Sequence, residues 1–203
     1  MRKLSYDFYD RDDVLQVAKD LIGKIIVTKL DGNTTSARIV ETEAYVAITD
    51  KASHSYGGRR TQRNEHMYAA AATSYVYICY GMHHLFNVVT NKKEVPDAVL
   101  IRAGEPIDGI DFMLKRTGKI KLDYTLTKGP GNLSRALGIN KIHSGILLTG
   151  SVIYLADDGW AASHPDEIAA SKRIGIDGAG EDALLPYRFY VRSNKYVSGS
   201  PWK

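Results

Sequence analysis

Alternating apolar and polar positions in the first quarter of the chain predict a two-stranded hairpin. Residues 24–30 are rich in β-branched side chains, and the segment ARIVETEAY (residues 37–45) follows the turn-forming pair Asp31-Gly32. Two alternating runs joined by an Asp-Gly turn are a strong hairpin signal. We therefore expect two adjacent antiparallel strands here.

Apolar residues at helical spacing precede this hairpin. They recur over residues 14–22, after Asp12 and before Gly23. Asp is a favoured residue at a helix N-cap, and Gly commonly follows a helix end. The pattern predicts a helix capped by Asp12 and ended by Gly23.

A second hairpin is predicted in the middle of the chain. SYVYICY (residues 74–80) and HLFNVVT (residues 84–90) both have strand character, and Gly81 lies at the bend between them. The later pattern predicts, in order, a strand over 98–103, a helix over 107–116, a glycine turn at 129–131, a helix over 133–137, a strand over 146–155, a helix over 167–172 and a strand over 188–192.

These elements predict the fold class and the domain organisation. Strands dominate the middle of the chain and the helices are scattered, which is typical of an α+β fold built on an antiparallel sheet. The sequence contains no repeat, low-complexity tract or flexible linker. We therefore expect a single domain over residues 1–203.

Composition narrows the class of protein further. The 203 residues are 44% hydrophobic and 25% charged, as in soluble globular proteins. No apolar run resembles a signal peptide or is long enough to span a bilayer, and the single cysteine, Cys79, excludes an internal disulfide. These features predict a cytoplasmic protein without a cysteine-based zinc site.

Charge permits a nucleic-acid partner without requiring one. The net charge is +4 and the pI is about 9.0. Arg59, Arg60 and Arg63 crowd one loop, GGRRTQRN (residues 57–64). Such a cluster suits phosphate contacts, although a solvated surface loop has the same composition.

The segment ARIVETEAY places acids and an aromatic ring together. On a strand, Glu41, Glu43 and Tyr45 share one face, about 6–7 Å apart. One interpretation is a carboxylate that activates water beside a stacking platform. A solvent-exposed face of an edge strand is a second, and the carboxylate pair of a carbohydrase is a third. Two acids on one strand lie on the same side of a substrate, which argues against the third.

Tyrosines dominate the next strand. Tyr75, Tyr77 and Cys79 share one face in SYVYICY, which suits either a core or a surface that stacks on bases. Tyr80 lies at the bend, where packing is least available, so it is a candidate wedge for the DNA minor groove. Packing against a neighbouring loop is the alternative.

Other polar residues are ambiguous from the sequence alone. His54 lies in a polar loop, and a lone loop histidine is usually a surface residue. Arg102 follows three apolar strand residues and needs an acidic partner; Glu43 is a candidate, in a catalytic or a merely structural ion pair. The segment KGPGN (residues 128–132) suits phosphate binding at a helix N-terminus. We expect no bound metal.

Several segments together resemble the alkyladenine (3-methyladenine) DNA glycosylase family, the group with a non-helical fold. The similarity covers almost the whole chain in the family's order. The segments that carry it are FYDRDDVLQVAKDLIGKIIV, RIVETEAY, HSYGGRRTQRN, YVYICYGMHHLFN, AVLIRAGEPIDG, KGPGNLSRALGI and RIGIDGAGEDALLPYRFYVR.

This resemblance implies a fold and an activity. The implied fold is a curved antiparallel sheet with surrounding short helices and a protruding β-hairpin. The implied enzyme is a monofunctional glycosylase that removes 3-methyladenine, 7-methylguanine, ethenoadenine or hypoxanthine from duplex DNA by base flipping and attack of water at C1′. The resemblance further implies a monomer that acts on double-stranded DNA containing damaged purines, without cofactor or metal, and that is associated with the nucleoid if the source is bacterial.

The resemblance also implies residue roles. Glu43 would be the general base, and Arg102 with the backbone carbonyl of Ile174 would hold the attacking water. Tyr45, His54 and Tyr77 would sandwich the flipped base. Asn87 would form the floor of the pocket, and Tyr80 would occupy the gap that the flipped nucleotide leaves in the duplex. The DNA phosphates would be contacted by Arg59, Arg63 and Lys128.

The chain departs from the family pattern at three places. Gln62 stands where proline is expected, Asn132 stands where lysine is expected, and His83-His84 replace more apolar residues. Other classes of function left open are a non-catalytic binding module on the same fold, an RNA-binding accessory domain like the C-terminal domain of a formyltransferase, and a carbohydrase.

Overall fold

A single antiparallel sheet organises the computed structural model, which describes residues 1–199. Its nine strands within that range are β1 (Arg2–Lys3), β2 (Ile25–Leu30), β3 (Asn33–Tyr45), β4 (Ser74–Cys79), β5 (His83–Thr90), β6 (Asp97–Asp108), β7 (Ile153–Asp157), β8 (Ile168–Ser171) and β9 (Arg188–Val191). The main order across the sheet is β1-β7-β2-β3-β6-β5-β4, and β9 pairs with both β3 and β8. The predicted α+β fold in one domain is confirmed.

Short helices surround the sheet. The α-helices of residues 1–199 are α1 (Tyr6–Tyr9), α2 (Val14–Asp20), α3 (Ile110–Thr117), α4 (Pro130–Leu137) and α5 (Trp160–Ser163). Single turns of 3₁₀ helix occur at Tyr56–Gly58, Glu65–Tyr68, Tyr124–Leu126, Lys141–His143 and Pro165–Glu167, with a longer stretch at Asp177–Leu184. Within residues 1–199 no helix is long and apolar enough to cross a bilayer.

The two faces of the sheet bury different sets of side chains. On β4, β5 and β6, alternate side chains point toward the main core, on the face where α4 packs against β5 and β6. These side chains are Val76, Phe86, Val88, Val99 and Ile101. The opposite face carries a second cluster that includes Tyr75, Val89 and Ala98. Because successive side chains of a strand point to opposite faces, the sheet separates the main core from this second cluster.

Strand β3 is the branch point of the sheet. Its first half pairs with β2, residues 41–43 of its second half pair with β9, and β6 pairs along its other side. Glu41 and Glu43 therefore lie between β6 and β9, and both are 0% exposed. The interpretation that these acids lie on a solvent-exposed edge strand is wrong, because β3 is paired with β6 on one side and with β9 on the other.

Most predicted strands and helices are present with small shifts of their ends. The helix cap falls on Asp13, whose side chain accepts a hydrogen bond from the backbone N–H of Gln16 at 2.9 Å, rather than on Asp12. Helix α2 ends at Asp20, and Gly23 follows with φ +82°. A Cβ at Gly23 would lie 2.5 Å from the Trp160 ring, so glycine is needed here for both conformation and space.

Two late elements differ from the prediction. The helix predicted over 167–172 is instead strand β8, which pairs with β9 from Ile168 opposite Val191 to Ser171 opposite Arg188. Tertiary pairing overrides the local preference of this short segment. The strand predicted over 146–155 begins only at Ile153.

Candidate active site

Glu43 is a buried carboxylate held by three donors. Its Oε1 accepts the backbone N–H of Ile174 at 2.8 Å, and its Oε2 accepts the Tyr45 hydroxyl at 3.0 Å and Arg102 Nη1 at 3.2 Å. Burial raises the pKa of Glu43, although Arg102 and the Ile174 N–H act to lower it. A carboxyl group whose pKa is moved toward neutrality is suited to accept a proton. Each carboxylate oxygen has two acceptor sites, so Oε1 can still accept from a water molecule.

A β-bulge brings Arg102 to the carboxylates. Thr42 lies opposite Ile101 on β6. The next residue back, Glu41, lies opposite Ala103. Arg102 is therefore the extra residue of a bulge, a distortion that re-aims side chains and is frequent beside active sites. The predicted contact between Arg102 and Glu43 is present.

One cavity gathers most of the predicted base-binding side chains. It has a volume of 260 Å³, near the lower end for small-ligand sites, which begin at ~300 Å³. The predicted residues that line it are Tyr45, His54, Tyr77 and Asn87. Glu43 is not one of the lining residues, but its Oε2 accepts a hydrogen bond from the hydroxyl of Tyr45, which is one.

Strand register explains why these residues meet. Asn87 lies opposite Tyr75 on β4 and opposite Leu100 on β6, and Leu100 lies opposite Glu43 on β3. Directly opposed residues share a face, and strands are about 4.8 Å apart. Glu43 and Asn87 are thus two strands apart in one row, at roughly 10 Å.

His54 and Tyr77 touch each other in this conformation. Their ring centroids are 4.5 Å apart and their planes are 74° apart, while His54 Nδ1 is hydrogen-bonded to the Tyr75 hydroxyl at 2.8 Å. A base stacked between two rings needs about 7 Å between them, twice an atomic contact of ~3.5 Å. His54 and Tyr77 must separate if a base is to lie between them, whereas a base between Tyr45 and this ring pair leaves their contact intact.

His54 provides a prediction about pH. Burial lowers the pKa of His54 from 6.5 to about 4, helped by the positive charges of Arg63 and Arg59. The unfolded chain then takes up this proton more readily than the folded protein, so stability falls as the pH drops from about 6.5 toward 4. A His54→Asn variant should lose less stability over that interval, as measured by thermal melting. An imidazole that titrates near its ordinary value in an NMR experiment would contradict the prediction.

Asn87 is a buried residue of the cavity lining whose side chain is held by hydrogen bonds. It is 3% exposed, and its side-chain nitrogen donates to the carbonyl oxygens of Tyr75 at 3.1 Å and Leu85 at 3.3 Å. These two bonds hold the amide in one orientation, which suits the place in the pocket floor that the family resemblance implies.

Tyr80 is the tip of the β4–β5 hairpin. Its side chain is 87% exposed, and both Tyr80 and Gly81 have positive φ, +49° and +72°. Positive φ is a conformation that Gly and Asn adopt more readily than Tyr. A bulky residue with φ > 0 is a conformational outlier, and such outliers cluster at functional sites.

Two depressions that adjoin the cavity contain the predicted phosphate-contact residues. Arg63 lines both the cavity and a depression that Arg59 also lines. Cys79 lines both the cavity and a groove that Tyr80 and Lys128 line. The predicted phosphate contacts and Tyr80 therefore lie at the cavity or in the depressions that adjoin it.

Two other basic or polar loop residues are engaged within the protein. Arg60 forms salt bridges with Glu65 at 2.6 Å and Glu94 at 2.5 Å. Arg63 donates to the backbone carbonyl of Ile78 at 3.1 Å, but within residues 1–199 neither Arg59 nor Arg63 is paired with an acid, so these two are the better phosphate candidates of this loop. Asn132 donates from its side chain to the carbonyl of Lys128 at 2.9 Å, so it closes the glycine turn.

Sequence reasoning missed a buried ion pair behind the cavity. Arg173 is bound to Asp50 through two hydrogen bonds, and its guanidinium carbon lies 4.9 Å from the centroid of the Tyr45 ring and 5.2 Å from that of Tyr187. Arg173 directly precedes Ile174, whose N–H reaches Glu43. No local pattern could reveal this pair, because its two members lie on distant loops.

The site offers carboxylate, guanidinium and phenol groups. Over residues 1–199 no group of three or more His, Cys, Asp or Glu side chains is arranged to hold a metal ion. His83 and His84 are adjacent on β5, so their side chains point to opposite faces of the sheet.

Sequence comparison identifies the class of protein to which this site belongs. The model of the methylpurine-DNA glycosylase family matches residues 7–195. The chain belongs to this family, and it is a hydrolase that cleaves N-glycosyl bonds in DNA. The predicted resemblance is confirmed.

Bacterial relatives agree along their full length. A protein of Desulfitobacterium hafniense is 46% identical, with 98% of this chain and 99% of the relative covered. One from Clostridium perfringens is 44% identical, with 97% and 98% covered, and one from Bacillus cytotoxicus is 46% identical, with 94% and 97% covered. All three are named as 3-methyladenine DNA glycosylases.

Proposed function

We propose that this protein is a monofunctional glycosylase that removes alkylated or deaminated purines from duplex DNA, with 3-methyladenine, 7-methylguanine, ethenoadenine and hypoxanthine as candidate bases. It acts as a monomer, without metal or cofactor, at the start of base excision repair, in the cytoplasm and on the nucleoid if the source is bacterial. The observation that carries the proposal is a buried Glu43 that accepts three hydrogen bonds, one of them from Tyr45 in the lining of a tyrosine-rich cavity.

Base flipping delivers the damaged nucleotide to this cavity. A base inside a duplex cannot reach a buried carboxylate, so it must leave the stack at a cost of a few kcal/mol. Stacking on an aromatic ring returns about 1–3 kcal/mol per contact. Tyr45 provides one such surface, and Tyr77 with His54 provides the other. Asn87 forms the floor, where the 2-amino group of a normal guanine would clash.

Glu43 then activates a water molecule. Its Oε1 takes a proton from water while the water oxygen forms a bond to C1′, and the C1′–N9 bond breaks with its electron pair passing to the base. Arg102 and the backbone carbonyl of Ile174 orient this water. A base alkylated at N3 or N7 carries a positive charge and leaves as a neutral molecule. A neutral base such as hypoxanthine must be protonated as it leaves, and this mechanism names no side chain as the proton donor.

The two depressions that adjoin the cavity receive the DNA backbone. Arg59 and Arg63 neutralise phosphates at one depression, and Lys128 at the glycine turn does so at the other. Tyr80 occupies the gap that the flipped nucleotide leaves in the duplex.

Tyr80 provides a prediction that separates function from folding. A Tyr80→Asn variant should bind lesion-containing duplex about tenfold more weakly, since one base-aromatic contact is worth ~1–3 kcal/mol. Asn adopts positive φ more readily than Tyr, so its thermal stability should be equal or higher. Fluorescence anisotropy and thermal melting measure the two effects. Unchanged affinity together with unchanged base release would reject the wedge.

Incubation with defined duplexes tests the function. Oligonucleotides that carry ethenoadenine, hypoxanthine or 7-methylguanine are treated with the protein, then with alkali to cleave abasic sites, with and without EDTA. Strand breaks only after alkali, insensitive to EDTA, are the expected result. Tight binding without base release would indicate a binding module, breaks before alkali a bifunctional enzyme, and loss of activity with EDTA a metal enzyme.

A further inference from the structure

A second buried carboxylate, Glu41, adjoins the proposed general base. It is 0% exposed and accepts four hydrogen bonds. Two come from guanidinium groups, Arg102 Nε at 3.0 Å and Arg188 Nε at 2.7 Å. The other two come from Ser198, through its backbone N–H at 2.7 Å and its hydroxyl at 2.8 Å.

Arg102 is shared between the two acids. Its Nε contacts Glu41, its Nη1 contacts Glu43, and its Nη2 donates to the Ser198 hydroxyl at 3.1 Å. All three nitrogen atoms of the guanidinium therefore donate a hydrogen bond. A planar guanidinium fixed at three points cannot rotate, so Glu41 and Ser198 determine where Arg102 points toward Glu43.

Charge balance depends on a residue further from the cavity. Glu41 and Glu43 are two buried negative charges, and Arg102 supplies one positive charge. Arg188 supplies the second; it is 4% exposed, and within residues 1–199 it is paired with Glu41 and not with Glu43. Without it, two carboxylates would share one guanidinium, and like charges in one site cannot both ionise easily.

The other charged and titratable groups around the acids leave this balance unchanged. Arg173 is close enough to Glu43 to influence it, but its charge is matched by Asp50. Tyr45 and Tyr77, which also face Glu43, both have pKa values raised by burial and are neutral at physiological pH. Ser171 and the carbonyl of Ser198 bind the remaining nitrogens of Arg188 without adding charge.

We propose that Glu41 and Arg188 are positioning residues for base release: Glu41 fixes the orientation of Arg102, and Arg188 supplies the positive charge that allows Glu43 to remain ionised. The inference rests on the proposed function, in which ionised Glu43 accepts a proton from water. It extends the site by two residues that touch neither base nor water.

The test is the pH dependence of single-turnover base release from an ethenoadenine duplex, whose acid limb reports protonation of Glu43. Arg188→Gln removes a positive charge, so its acid limb should move up by about one pH unit. Glu41→Gln removes a negative charge, so its acid limb should move down by about one pH unit. The double variant restores one acid and one guanidinium and should return toward the wild-type profile.

Matched variants guard against trivial effects. Arg188→Lys keeps the charge and should leave the acid limb in place even if packing suffers. Arg38→Gln removes a partly buried arginine of the same strand as Glu43, paired with Asp158 at 2.7 Å, and should also leave it in place. Thermal melting identifies any variant that fails to fold, and Glu41→Gln is nearly isosteric, so it carries the test if Arg188→Gln does not fold.

Opposite shifts of the two single variants support the proposal. Slower release with an unmoved acid limb, or shifts in the same direction, would overturn it and leave Glu41 and Arg188 as structural residues. If Glu43→Gln itself releases base normally, the proposed function fails first, so the two failures are distinguishable.

Discussion

Glu43→Gln is expected to slow base release from lesion-containing duplex by about 10²–10⁴-fold, the usual contribution of a general base. The amide is nearly the same size and still accepts one hydrogen bond, but it cannot take a proton from water. Affinity for the duplex should change little, because Glu43 is 0% exposed and lines neither of the depressions that hold the proposed phosphate contacts. Single-turnover base release and fluorescence anisotropy measure the two quantities.

Stability provides an independent check on this variant. Burial raises the pKa of Glu43 above its value in an unfolded chain, so its ionised form opposes folding once the pH exceeds the unfolded pKa. Gln removes that cost, and Glu43→Gln should melt at an equal or higher temperature near neutral pH. A Tyr45→Phe control deletes one hydrogen bond to Glu43 while keeping the ring, and should lose far less activity. A Glu43→Gln enzyme that works at the wild-type rate would remove the basis of the mechanism.

Local patterns were sufficient for the strands that form the tyrosine face. Alternation in SYVYICY places Tyr75 and Tyr77 on one side, and the structure stacks their rings 5.5 Å apart in the second buried cluster. The same alternation placed Glu43 and Tyr45 together, and they share a hydrogen bond. A period of two is a short-range property, so a few residues of sequence determine it.

Burial of the acids could not be predicted in the same way. Whether Glu43 faces solvent depends on β9, which arrives beside β3 from residues more than a hundred positions later. The position of Arg102 depends on a β-bulge, which adds one residue to the strand. The alternation of apolar and polar residues does not show where such an extra residue lies. Strand β8 was mistaken for a helix for the same reason, because its identity comes from pairing with β9.

Family resemblance supplied roles that the residues alone left ambiguous. His54 has the sequence context of a surface residue, yet it contacts Tyr77 and hydrogen-bonds to Tyr75 in the cavity. The resemblance did not point to Glu41, Arg188 or the Asp50–Arg173 pair. Those residues support the site from behind, and their contacts join segments far apart in sequence.

Asp50→Ala is expected to cost about 3–5 kcal/mol of folding free energy, the usual effect of leaving a buried charge without its partner. Arg173 and Asp50 are 0% and 1% exposed, and Arg173 also donates to the carbonyl oxygens of Ala44 at 2.9 Å and Asp182 at 3.1 Å. Removing the carboxylate leaves the guanidinium buried with neutral acceptors alone. Denaturant unfolding monitored by circular dichroism measures the loss.

The same substitution should damage the site, because Arg173 lies behind the Tyr45 ring and next to Ile174 in the chain. If Arg173 moves, both the stacking surface and the N–H that binds Glu43 move with it, so base release should fall even at a temperature where the variant is folded. Asp20→Ala is the matched control: its salt bridge to Arg11 is about one-third exposed, at 33% and 32%, and pairs of that kind contribute about 0–1 kcal/mol. If the Asp50→Ala protein is as stable as the Asp20→Ala protein, water reaches Arg173. The ion pair would then not be what fixes the position of the Tyr45 ring.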